Sequence, residues 1–140
     1  MKEIGIWLDK QKAYLLIFES NDEHFITIES EVEDYRIHGG SRSKTRWGPQ
    51  DVVQDSKYLE REKHQLRNYF KKIIEFLKNA NNITINGPAE TYLKLKSEID
   101  SNYRDIAEKV SMVNNADSMT INQVKALLKE QLGRAPERGR

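Results

Sequence analysis

Residues 4–18 read IGIWLDKQKAYLLIF, and the architecture hangs on this stretch. Ile4, Ile6 and Leu8 alternate with Gly5 and Trp7, a period of two, and residues 13–18 form an unbroken apolar run rich in β-formers. The polar residues between them, Asp9-Lys10-Gln11-Lys12, supply a turn, so the stretch predicts a β-hairpin. Downstream, Ser20-Asn21-Asp22 leads into a third strand from His24, where Phe25, Ile26, Ile28, Val32 and Tyr35 interleave with Thr27, Glu29, Glu31 and Glu33. The acids of that strand are expected to face solvent and to blunt a sheet edge.

Further along, Leu59, Leu66, Phe70, Ile73, Ile74 and Leu77 recur at steps of seven, four and three, the apolar stripe of a long helix over about 56–78. Residues 83–85 carry a short buried-strand signal closed by Asn86-Gly87-Pro88, and Pro88 suits the first turn of a helix over 89–99. A final strand is predicted over 106–113. Thr120 and Gln123 have capping-box spacing ahead of Ile121, Val124, Leu127, Leu128 and Leu132, an amphipathic helix stopped by Gly133. The order β-β-β-α-β-α-β-α is the ribonuclease-H-like layout: α/β, with a mixed five-stranded sheet and helices on its faces. Other α/β arrangements share that order.

With 140 residues the chain suits one well-buried core, read here as a single domain over 1–132 followed by a flexible basic tail, 133–140. Its charged fraction of 32% is high against 37% hydrophobic, yet the apolar residues fall in periodic runs, which argues for a folded chain. Cysteine is absent, which excludes disulfides and thiolate metal sites. The longest apolar run is six residues, where a membrane span needs about 20, and the N-terminus has no signal-peptide core. A cytoplasmic location is expected.

The net charge of +1 hides a division: residues 1–35 carry −6, residues 36–78 carry +6 and residues 79–140 carry +1. A basic third in a near-neutral chain is the footprint of a nucleic-acid binder, although charge runs are as often plain solvated surface. The basic third begins with RIHGGSRSKTRWGPQDVVQ, residues 36–54, which has neither helical nor strand periodicity. Connections this long are uncommon in compact domains unless functional or disordered. Arg42, Lys44 and Arg46 alternate, so in an extended loop they share a side and can track a phosphate backbone, with Trp47 stacking on an unpaired base. Arg36 and His38 flank them, and Gly39-Gly40 is either a tight turn or a tip that lets backbone amides approach phosphate. On the helix, Arg61, His64, Arg67 and Lys71 extend the same positive surface. His24, His38 and His64 are isolated, so no metal site is expected, and no small-molecule cofactor is implied. Asp9 could supply one carboxylate of a two-metal nuclease, but the fourth strand ends in Asn86-Gly87 without an acid.

Residues 38–77, HGGSRSKTRWGPQDVVQDSKYLEREKHQLRNYFKKIIEFL, followed by residues 82–96, NITINGPAETYLKLK, resemble the central domain of the eukaryotic-type class 1 peptide chain release factors and their Pelota relatives. They are more similar still to the single-domain bacterial and archaeal homologues of that domain, the translational machinery component group. The resemblance implies a ribonuclease-H-like fold in which the third strand leads to a loop ahead of a long basic helix. It also implies the ribosome, its RNA or a tRNA acceptor end as partner, and no membrane. In release factors that loop carries Gly-Gly-Gln, which promotes hydrolysis of the peptidyl-tRNA ester. Here Gly39-Gly40 is followed by Ser41, and the nearest glutamine, Gln50, is preceded by Gly48-Pro49. The resemblance therefore favours RNA contact over ester hydrolysis by this chain's own loop, in a setting of ribosome rescue or release. The alternatives are a peptidyl-tRNA ester hydrolase with Gln50 or Ser41 at the ester, and an interaction module that binds no RNA.

Overall fold

The computed structural model describes residues 1–32 and 48–133, and the side chains of 48–58 are outside that description. Five strands, β1 (Lys2–Leu8), β2 (Lys12–Glu19), β3 (Asp22–Glu29), β4 (Asn82–Gly87) and β5 (Val110–Asn115), form one sheet in the order β3-β2-β1-β4-β5. The first three pair antiparallel, while β4 pairs parallel with both β1 and β5, so the sheet is mixed. Among the described residues four helical segments accompany it: α1 (Gly48–Leu77), α2 (Thr91–Asn102), the short α3 (Arg104–Ala107) and α4 (Ile121–Gln131). This is the five-stranded mixed sheet with helices on its faces that the element order predicts.

The period-two pattern of the hairpin sorts its side chains between two cores. Ile4, Ile6 and Leu8 of β1 and Ala13, Leu15 and Ile17 of β2 join Leu66, Tyr69, Phe70, Ile73, Ile74 and Leu77 of α1 and Leu95 and Ile99 of α2. Trp7, Tyr14, Leu16 and Phe18 point the other way, onto Val124, Leu128 and Leu132 around α4. Both strands are thus buried on both faces, and each side chain fully removed from water stabilises by about 1.5–3 kcal/mol. Gly5 belongs to the second face. A Cβ there would lie 2.9 Å from Leu128 Cβ, so the missing side chain is what lets α4 approach β1.

Several boundaries differ from the sequence reading. The long helix starts at Gly48, not near Ser56, and so takes 48–54 from the segment read as loop. Pro49 and Asp51 fall in its first turn, where proline costs no hydrogen bond and an acid suits the positive helix end. The apolar stripe was too weak there to signal a helix. Leu59 is 58% exposed rather than part of the stripe's contact, and among the described α1 side chains the first in the core is Leu66. The third strand starts earlier, at Asp22, and ends at Glu29; of the acids expected to face solvent, Glu29 is exposed on this edge strand and Glu31 is exposed just beyond it, while Glu33 and Tyr35 lie outside the described residues.

Pro88 precedes rather than opens the next helix. Ala89 takes φ 55°, and α2 begins at Thr91 and continues to Asn102, past the predicted end. The segment read as a strand from Ile106 closes first into α3, with Ala107 N–H donating to the Tyr103 carbonyl and Ile106 buried, and β5 starts only at Val110. An apolar alternation this short does not separate strand from helical turn. The last helix follows its sequence signals: Thr120 and Gln123 form a reciprocal capping box, and Gly133 ends the segment at φ +73°. Ile121, however, is exposed.

Candidate nucleic-acid interface

The 30 residues of α1 give a rod of about 45 Å. Its two sides separate cleanly from Leu66 onward. One side is the core stripe; the other exposes Arg67 and Lys71, with Arg61 and His64 continuing the row toward the N-terminus. The spacings of three, three and four residues put these four predicted RNA contacts along one side of the helix. Two other cations, Lys72 of α1 and Lys78 just beyond its end, already have partners. Lys72 Nζ donates to the Glu29 carbonyl at 3.1 Å, which ties α1 to the edge strand, and Lys78 pairs with Glu75 at 3.1 Å.

The helix is anchored where the β1–β2 turn meets it. The Tyr69 hydroxyl, fully buried, donates to the Asp9 carbonyl at 2.9 Å, and Lys10 pairs with Glu62. Burial, with a smaller contribution from the nearby Asp9 charge, raises the Tyr69 phenol well above its ordinary value. Tyr69 was not singled out in the sequence, although it sits one residue before Phe70 in the stripe.

Asp9 is committed to the turn itself. Its Oδ1 accepts from the backbone N–H groups of Gln11, at 2.8 Å, and Lys12, at 2.9 Å, a local cap of the kind short acids make in turns. Asn86, at the end of β4, is completely buried and makes three hydrogen bonds. Its Nδ2 donates to the Ile6 carbonyl at 3.0 Å and to Gln131 Oε1 at 2.9 Å, and its Oδ1 accepts from Gln131 Nε2 at 2.7 Å. Among the described residues no three His, Cys, Asp or Glu side chains gather as metal ligands.

At the carboxyl ends of β1 and β4, the end at which open α/β sheets take ligands, lies a cavity of about 580 Å³. Asp9, Lys10, Glu62, Pro88, Glu90 and Lys94 are among its lining residues, and so is Val32, the last described residue before 33–47. The cavity therefore borders the point at which the chain leaves the sheet for the predicted RNA-binding segment. Arg36, His38, Gly39, Gly40, Ser41, Arg42, Lys44, Arg46 and Trp47 lie outside the described residues. The backbone of Gln50 falls in the first turn of α1, and its side chain is likewise outside the description. No helix among the described residues is long and apolar enough to cross a membrane.

No family model matches this sequence. A curated protein of Plasmodium falciparum, Protein PFC0760c, is 29% identical over 138 residues, which covers 88% of this chain and 4% of that protein. Among solved structures, Archaeoglobus fulgidus Pelota superposes with a TM-score of 0.55 at 10% identity, over 94% of this chain and 31% of Pelota. The fold is shared with Pelota. The archaeal translation termination factor aRF1 gives 0.51 at 9% identity, over 96% of this chain and 35% of that factor. This chain thus has the fold of a domain found in both and spans about a third of either one.

Lys63 and Lys94, not among the site residues expected from the sequence, line one groove together with Arg67. Lys94 lies on α2, 27 positions from Arg67. Only the packing of α1 and α2 on one sheet face relates them, so no spacing rule could have found the pair.

Proposed function

We propose that this chain is a translation-associated RNA-binding protein that engages ribosomal RNA or a tRNA acceptor end through residues 36–54 and the basic side of α1, in ribosome rescue or release. The observation that carries the reading is the row His64, Arg67 and Lys71, exposed on a helix whose opposite side is the core and whose first turns are the last residues of the 36–54 segment. A helix needs one apolar side to fold here, and nothing about folding requires the other to be cationic. The shared fold with Pelota and aRF1 supports the translation setting.

Binding of this kind is electrostatic first. If four to six phosphates are neutralised, log K falls against log salt with a slope of roughly −3 to −4 for a single strand. The test is co-sedimentation with ribosomes at low salt, wild type beside Arg42→Ala/Lys44→Ala/Arg46→Ala. The wild type is expected in the pellet and the variant in the supernatant; equal pelleting would remove the segment from the interface. The ester-hydrolase alternative keeps the same segment and is read by release of labelled peptide from peptidyl-tRNA on ribosomes, with Gln50→Ala as its control.

A further inference from the structure

A second set of cations converges between the two helices on the α1 face of the sheet. A groove of about 450 Å³ separates α1 from α2, with Lys63 and Arg67 on one bank and Lys94 on the other. Among the described residues none of these three has an ion-pair partner, whereas Lys10, Lys12, Lys78, Lys96 and Lys129 each have one. Lys63 and Arg67 are a like-charge pair four residues apart, which a helix on its own disfavours. The acid in the groove, Glu98, already accepts from the Asn102 amide at 3.0 Å. Glu98 keeps its negative charge on accepting that bond and offsets one of the three cations, so the lining is left net positive and favours an anion.

The remaining lining fits a sugar-phosphate chain better than a lone anion. Ser97 and Ser101, one turn apart on α2, bring hydroxyls to the groove beside the cations. The groove shares Leu66 and Lys94 with the cavity at the strand ends, which borders Val32. One path therefore runs from the exit of β3 to the middle of α2.

We infer that this groove seats the ribose-phosphate backbone of an RNA strand, with phosphates on Lys63, Arg67 and Lys94 and ribose 2′-hydroxyls on Ser97 and Ser101. The inference rests on the RNA-binding reading above and extends its surface from α1 onto α2. Phosphate contact makes the groove salt-sensitive, and hydroxyl contact is what separates RNA from DNA at a given site.

The test is fluorescence anisotropy with a labelled single-stranded RNA of about 12 nucleotides and the DNA of the same sequence, over a salt series. Lys63→Ala/Lys94→Ala is expected to weaken RNA binding about tenfold at low salt and to shrink the salt slope by about 1.4, at about 0.7 per phosphate. Removal of two lysines across the sheet, Lys125→Ala/Lys129→Ala on α4, is expected to cost no more than about twofold, and Ser97→Ala/Ser101→Ala to narrow the preference for RNA over DNA. Should the alanine pair melt early, Lys63→Gln/Lys94→Gln is read in its place. If wild type binds RNA and the Arg42/Lys44/Arg46 triple variant loses it while the groove pair keeps wild-type affinity and slope, the groove is overturned and the RNA-binding reading stands. Equal losses from the α4 pair overturn it too. Wild type that binds no RNA at low salt overturns both.

Discussion

Asn86 and Gln131 are expected to be energetically coupled, because a buried amide at the end of β4 is satisfied by one residue of α4 and by little else. Asn86 is fully buried and makes three hydrogen bonds, two of them to Gln131. At a net 0.5–1.5 kcal/mol per bond, Asn86→Ala should cost about 1.5–4.5 kcal/mol. Gln131→Ala removes two bonds and also strands part of the Asn86 amide away from water, about 1–3 kcal/mol. In the double variant the two shared bonds are lost once, not twice, so the cycle should close with an interaction energy of about 1–3 kcal/mol, above the ~0.5 kcal/mol scatter of independent sites. Urea unfolding with linear extrapolation measures all four corners. Losses that add to within about 0.5 kcal/mol would refute the coupling. Asn86→Asp sharpens the test: it keeps the shape but faces a carboxylate to the Ile6 carbonyl, and should destabilise more than alanine at neutral pH.

Three further outcomes are expected. Tyr69 has its phenol pKa raised in the folded state, so its contribution is fully present below about pH 10, the unfolded value, and falls by up to about 1.4 kcal/mol per pH unit above it. Tyr69→Phe should lose about 1 kcal/mol at pH 7, from the bond to the Asp9 carbonyl, yet show a flatter decline above pH 10 in chemical denaturation; an unchanged alkaline slope counts against the assignment. Thr84 Oγ1 is buried with no hydrogen-bond partner among the described residues, so the isosteric Thr84→Val should be neutral or stabilising by about 1 kcal/mol, and a fall in Tm of several degrees would contradict it. Gly5→Ala, whose Cβ meets Leu128 at 2.9 Å, should push α4 off the sheet and cost about 1–3 kcal/mol, read as a lower urea midpoint.

The contrast between Leu59 and Leu66 illustrates how far a sequence pattern reaches. Both lie on the same helical stripe, and periodicity treats them alike. The β1–β2 turn is held to α1 by the Tyr69 bond and the Lys10–Glu62 pair, and of the two leucines only Leu66 reaches the core. Ile106 fails in the opposite sense: its burial was foreseen as strand, and backbone hydrogen bonds to Tyr103 made it helical turn.

What the amino-acid sequence determined by itself was the set of elements and their faces. Period two in the hairpin, period 3.6 in the long helix, the Thr120–Gln123 box and the charge division between thirds are all local properties, fixed by residues within a few positions of each other. The tertiary structure alone decided what those faces meet. The Asn86–Gln131 pair, 45 residues apart, and the grouping of Lys63, Arg67 and Lys94 depend on contacts no local rule encodes. A basic residue on a helix reads the same in sequence whether it faces bulk water or shares a groove with other cations, and only the packing of α1 against α2 brings Lys63, Arg67 and Lys94 to one groove.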